Sequence, residues 1–136
     1  MDNILQVTPF LHVPDLAQAI DFFTRVLRFE VKLRASDYAY LEREGAAIRI
    51  LEEPGRELPV RGAKVRVTVC IDVRDVDSLY QEMLGELRAL PGSDVQAPVD
   101  EPWGQRDFHV RLPDGQWLAF TQPSRSAQVP AQPTPV

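Results

Sequence analysis

The chain has 136 residues, 44% of them hydrophobic and 26% charged, with a net charge of −5: the size and balance of one globular domain. The acidic total argues against nucleic acid, which selects basic faces, and no apolar run reaches the ~20 residues that cross a bilayer. Cys70 stands alone, which excludes an internal disulfide. With no basic region ahead of an apolar stretch, MDNILQVTPF does not read as a secretory signal, and a reducing cytoplasm is the expected location.

Ile4 to Val13 reads as a strand, with Val7, Leu11 and Val13 on one parity. Pro9 inside it has no N–H for a ladder, which points to an edge or a bulge. Asp15 is placed as an N-cap after Pro14. Leu16, Ala19, Ile20, Phe23 and Leu27 then recur at helical spacing as far as about Arg28. Three strands follow, Glu30–Ala35, Tyr38–Glu42 and Ala46–Glu52, parted by the turn signals Ser36-Asp37 and Glu44-Gly45. The Glu52-Glu53 pair precedes a turn and reads as solvated. Residues 52–62 hold two prolines and two glycines and read as a linker.

The pattern then restarts. Val65, Val67, Val69, Ile71 and Val73 alternate with Arg66, Thr68, Cys70 and Asp72, a half-buried strand. Asp75 caps a helix with Val76, Leu79, Tyr80, Met83 and Leu87 on one stripe, ended by Pro91-Gly92. Strands near Val95, at Asp107–Leu112 and at Trp117–Thr121 complete the second copy, with Pro113-Asp114-Gly115 as a hairpin turn. Residues 123–136 carry four prolines and no aromatic residue, a composition expected of a flexible tail.

Val13-Pro14-Asp15-Leu16 aligns with Val73-Arg74-Asp75-Val76 at an offset of sixty residues, and every stripe position of the first helix falls on an apolar position of the second. The expectation is an α+β fold of two tandem βαβββ modules, about 1–55 and 62–122, in a single domain 1–122. Each module is too small for a core of its own. Their free sheet faces would curve into one mixed sheet around a cup-shaped cavity, a shape suited to a ligand.

The stretches VPDLAQAIDFFTRVLRFEV, IDVRDVDSLYQEM and EPWGQRDFHVRLPDGQWLAF carry a resemblance. From Ile4 to about Gln122 the chain resembles the vicinal oxygen chelate superfamily, which includes glyoxalase I, extradiol dioxygenases, and fosfomycin and bleomycin resistance proteins. The W-G followed by a P-D-G hairpin is most similar to the bleomycin-resistance branch. The resemblance implies homodimers with a small-molecule ligand. In metal-using members it implies His, Glu or Gln ligands on four strands. Those positions fall on Thr8, Arg49, Thr68 and Ala119, none of them a ligand of the expected kind. No metal and no cofactor are therefore expected, and there is no phosphate loop or dinucleotide fingerprint.

Parity supplies the candidate ligand-binding residues. They are Thr8, Phe10 and His12 on the first strand, Arg66 and Thr68 on the second opening strand, and Arg49 on the late strand of module one. Tyr38 and Tyr40 lie where relatives carry an aromatic residue, and Trp103 matches the tryptophan of the relatives' groove. Cys70 shares the cup parity and reads as a buried inert thiol; Trp117 reads as packing. The face taken by His109 is not fixed by sequence. If Arg49 and Arg66 face inward, their guanidinium groups favour an anionic or carbonyl-rich ligand, whereas the branch is known for cationic drugs. The expected function is metal-free sequestration of an antibiotic or metabolite with planar groups, without catalytic residues. The alternative is a divergent glyoxalase-like lyase, isomerase or dioxygenase acting on a small carbonyl or carboxylate.

Overall fold

A computed structural model of the chain describes residues 3, 5–55 and 67–124. Arg66, most of the linker and residues 125–136 of the expected tail lie outside the described residues. The described residues divide into two compact units, one holding those up to 55 with the turn Leu112–Gly115, the other those from 67 to 111 and from 116 to 124.

The first unit runs β1 (Phe10–Val13), α1 (Leu16–Asp21), β2 (Glu30–Arg34), β3 (Tyr38–Arg43) and β4 (Ala46–Glu52). The strands form a mixed sheet in the order β1-β4-β3-β2, with β1 parallel to β4 and the other pairs antiparallel. The expected strand from residue 4 starts only at Phe10. Pro9 accounts for the late start. Its carbonyl accepts from the Arg49 amide at 2.9 Å, but it has no N–H to continue the ladder.

Asp15 caps α1 as expected, its carboxylate accepting from the Gln18 amide at 3.0 Å. The helix then departs from the simple expectation and widens into a π-helical turn, Phe22–Val26. There the Thr24 hydroxyl donates to the Ile20 carbonyl at 2.8 Å, and Leu27 N–H reaches back five residues to Phe22. A side-chain hydroxyl competing for a helix carbonyl is a known cause of such local slips. Arg28, in the left-handed region at φ 62°, closes the turn by letting Phe29 N–H bond the Phe23 carbonyl. The extra residue still leaves Leu16, Ala19, Ile20, Phe23 and Leu27 buried, along with Leu11, Val13, Ala39, Leu41, Ile48 and Ile50 from the sheet. Each large side chain so buried is worth roughly 1.5–3 kcal/mol.

The second unit repeats the plan. It runs β5 (Val67–Asp72), α2 (Val76–Leu87), β6 (Val95–Asp100), β7 (Gln105–Arg111) and β8 (Trp117–Pro123), in the sheet order β5-β8-β7-β6. Asp75 caps α2 through the Ser78 amide at 3.1 Å. Its core holds Val76, Met83, Leu87, Phe108, Val110, Leu118 and Phe120, with Phe108 stacked on Phe120 at 4.8 Å and edge-on to Tyr80 at 5.2 Å. The fold is α+β, two tandem βαβββ modules.

The repetition reaches single hydrogen bonds. The first amide of α1, Leu16 N–H, donates to Glu52 Oε2 at 2.9 Å, and the first amide of α2, Val76 N–H, donates to Gln122 Oε1 at 2.5 Å. Each side chain sits at the end of its module's last strand and satisfies one of the amides that a helix N-terminus leaves unpaired. Glu52 is thus a structural acceptor, not the solvated acid the sequence suggests.

Candidate functional site

In each unit one sheet face packs on its helix and the other does not. On the first sheet the register sets Phe10 opposite Arg49, Arg49 opposite Tyr40, and Tyr38 opposite Leu51, which in turn faces His12. Phe10, His12, Tyr38, Tyr40 and Arg49 therefore share the face away from α1, as side-chain alternation requires. They form a connected set. Arg49 donates to Tyr38 Oη at 2.6 Å and lies 4.9 Å above the centre of the Tyr40 ring. Phe10 is 5.4 Å from the His12 ring and 6.1 Å from Tyr38. Gln6 donates to both Thr8 Oγ1 and Tyr40 Oη. His12 Nδ1 lies 3.7 Å from a Glu53 carboxylate oxygen.

The corresponding face of the second sheet carries a cavity of about 560 Å³, within the range of small-molecule sites. Two cross-strand rows make its wall. Asp72, Thr121 and Asp107 stand opposite one another on β5, β8 and β7, and Cys70, Ala119, His109 and Gln96 form the adjacent row. Trp103 from the β6–β7 connection and Gln105 from the start of β7 complete it. That connection is a tight turn. Glu101 N–H donates to the Gln105 carbonyl at 2.6 Å and Gly104 N–H to the Glu101 carbonyl at 3.1 Å. Gly104, at φ 90°, supplies the left-handed residue this needs. Trp103 is left 69% exposed.

The register shifts between Val67 and Val69, where β5 advances two residues against one of β8. Thr68 is the extra residue of this bulge, and Val67 takes the place on the cavity wall that simple alternation gives to Thr68. Cys70 corrects another expectation: its thiol is exposed on the wall, not buried. Partial desolvation, and then the negative charges of Asp72 and Asp107, push its pKa up, so it stays protonated and a poor nucleophile at neutral pH.

The strongest chemistry lies beside it. Glu101, Asp107 and His109 offer donor atoms within 4.8 Å of one another. Asp107 is 5% and His109 8% exposed. Asp107 Oδ1 lies 3.4 Å from His109 Nε2, yet neither Asp107 Oδ1 nor His109 Nδ1 has a hydrogen-bond partner, although both atoms are buried. Leaving such an atom unsatisfied costs roughly 1–3 kcal/mol. Burial, hydrogen bonding to Asp107 and the charge of Asp107 hold the Glu101 carboxyl above its ordinary range, against an opposing pull from His109. Two residues beyond His109, Arg111 lies 4.0 Å from Asp94, and neither lines the cavity.

The sequence candidates thus fall in two places. Thr8, Phe10, His12, Tyr38, Tyr40 and Arg49 gather on the first sheet, Trp103 lines the cavity of the second, Thr68 sits at its bulge, and Arg66 lies outside the described residues. Sequence reasoning missed Glu101, Asp107 and His109 as a site. The visible signal was Asp107 and His109 two apart in a strand, hence on one face, six to eight residues after Glu101.

Residues 3–120 match the model of the Glyoxalase/Bleomycin resistance protein/Dioxygenase superfamily. No curated protein matches the chain. Among solved structures, the bleomycin-binding protein of Streptomyces verticillus, complexed with copper(II)-bleomycin, is 23% identical, with a TM-score of 0.69 over 88% of this chain and 97% of that one. A bleomycin-binding protein complexed with bleomycin is also 23% identical, with a TM-score of 0.71 over 88% and 98%. A glyoxalase/bleomycin resistance protein/dioxygenase from Alicyclobacillus acidocaldarius is 21% identical, with a TM-score of 0.67 over 85% and 88%. These likenesses carry the fold. Together with the sequence match, they support one conclusion: the chain belongs to the glyoxalase/bleomycin resistance protein/dioxygenase superfamily.

Proposed function

We propose that the protein is a small-molecule binder of the bleomycin-resistance type, and that it holds a planar, cationic compound on the open face of its second sheet. The observation that carries this reading is the cavity of about 560 Å³ walled by Asp72, Asp107, His109 and Trp103. Indole faces accept flat rings by burial and offset stacking, and carboxylates on a partly desolvated wall attract cations more strongly than exposed ones do. No lysine or arginine lines this wall among the described residues. On the first sheet Arg49 is engaged by Tyr38 and Tyr40, so the anionic ligand that inward arginines would favour loses its main support. A cationic antibiotic fits this chemistry, and sequestering one would confer resistance without turnover.

The superfamily's own coordination positions carry Thr8, Arg49, Thr68 and Ala119, and we assign them no metal. We also take the working unit to be a homodimer, as the resemblance implies, and its location to be the cytoplasm, as the lone Cys70 suggests; no described helix is long and apolar enough to cross a membrane. Exposed Phe10 (48%) and Leu33 (55%) on the first sheet's open face are apolar surface a second copy would cover. Sedimentation equilibrium tests that part. Thermal-shift screening tests the ligand class. Cationic compounds with fused rings, bleomycin among them, are expected to raise the melting temperature, and small planar carboxylates are not. The opposite pattern would reverse the ligand assignment.

A further inference from the structure

We propose that Glu101, Asp107 and His109 form a binding site for one divalent first-row transition-metal ion, set into the cavity wall of the second sheet. The site is distinct from the positions Thr8, Arg49, Thr68 and Ala119 and does not depend on the planar-ligand reading.

Three independent features converge. The donor set is one imidazole and two carboxylates, the mixed nitrogen and oxygen chemistry that Zn, Fe(II), Co(II) and Mn(II) accept. The spacing is close to what an ion needs. Donors at ~2.0–2.2 Å from a common metal lie at most ~4.4 Å apart, and the three here already lie within 4.8 Å of one another, so adjustments of a few tenths of an ångström suffice. Two of the three side chains are nine-tenths or more buried, and Asp107 Oδ1, 3.4 Å from His109 Nε2, has no hydrogen-bond partner. Buried polar atoms in folded proteins are nearly always satisfied, and a cation held between Asp107 Oδ1 and His109 Nε2 would satisfy the carboxylate oxygen while offsetting the clustered negative charge.

The backbone fixes this arrangement. Asp107 and His109 project from the same face of β7, anchored in register against Thr121 and Ala119. Glu101 is brought back to them by the tight turn through Gly104. Three protein donors leave coordination positions open. Asp107 and His109 both line the cavity, so water or a donor atom of a ligand has access to those positions.

The test is titration of chelator-stripped full-length protein with Co(II) and Zn(II), read by calorimetry, visible absorption and elemental analysis after dialysis. One ion per chain is expected, with Co(II) d–d bands and a metal-dependent rise in melting temperature. Glu101→Gln, in a partly exposed turn, is expected to fold normally and to weaken binding at least tenfold. Asp107→Asn and His109→Gln are expected to abolish it. Cys70 lies on the same wall, so Cys70→Ser is measured in parallel and is expected to retain the ion. No uptake at millimolar metal would overturn the site. So would affinity unchanged in Glu101→Gln, or a thiolate-to-cobalt charge-transfer band lost in Cys70→Ser. Planar-ligand binding that survives while metal binding fails would leave the proposed function standing, and the converse result would separate the two in the other direction.

Discussion

Gln122 and Glu52 show how much a single polar residue can do at a strand end. Each accepts the first amide of its module's helix, tying strand to helix at the same point in both copies. Gln122→Ala is expected to cost about 1 kcal/mol in urea denaturation; an unchanged midpoint would mean water replaces the bond. The Glu44-Gly45 turn was readable as a turn from the sequence, and the structure adds its kind. Both residues have positive φ, 50° and 84°, with Arg43 paired to Ala46 across the hairpin, the two-residue geometry that prefers Asn-Gly. Glu44→Asn is expected to raise stability by a few tenths of a kcal/mol, since the Glu44 carboxylate it removes from Arg43 is 78% exposed. Differential scanning calorimetry would show it. Other residues resisted reading. Alternation placed Phe10, Tyr38, Tyr40 and Arg49 on one face correctly, because their strands are regular. It misplaced Thr68 because a bulge leaves no mark in the residue types, and it could not see that Asp107 Oδ1 and His109 Nδ1 are buried without a hydrogen-bond partner.

At the scale of elements, both helices and seven of the eight strands fall close to the expected spans, because caps and apolar stripes act locally. β1 is the exception, and the π-helical turn after α1 was invisible for a related reason. It depends on one hydroxyl finding one carbonyl, whereas the apolar stripe survives the slip. Helix α2 is also tied to β7 by charge: Arg106 meets both carboxylate oxygens of Asp77, at 2.9 and 3.1 Å, and also approaches Asp100 at 3.4 Å. The hydrogen bond from Arg106 holds the Asp77 pKa below its ordinary value of 3.8. A depressed carboxylate stabilises the fold above its unfolded pKa and loses that contribution as pH falls through the folded value. Wild type should therefore exceed Asp77→Asn in stability at neutral pH, by less than about 1 kcal/mol because the Asp77 side chain is more than half exposed. The gap should close as the pH drops below the ordinary carboxylate range. Urea melts of both proteins at several pH values check this; a gap that widens in acid would contradict it.

For the whole molecule, the repeat was the most legible feature and the ligand the least. Sixty-residue periodicity gave the two modules, since each module must bury one stripe of its helix against one sheet face. The net charge of −5 carried no information about the site, because the charge that decides a ligand is local: Asp72 and Asp107 line the cavity of one sheet while Arg49 is engaged on the other. The acidic, tryptophan-edged wall of the second sheet is the central claim. A fluorescence titration of the full-length protein with bleomycin tests it most directly, repeated with Trp103→Ala and Asp72→Asn and at rising salt. The expected result is saturable quenching of the indole signal, weakened by either substitution and by salt. Saturable binding that ignores both substitutions, or none with bleomycin alongside tight binding of a planar dicarboxylate, would contradict it.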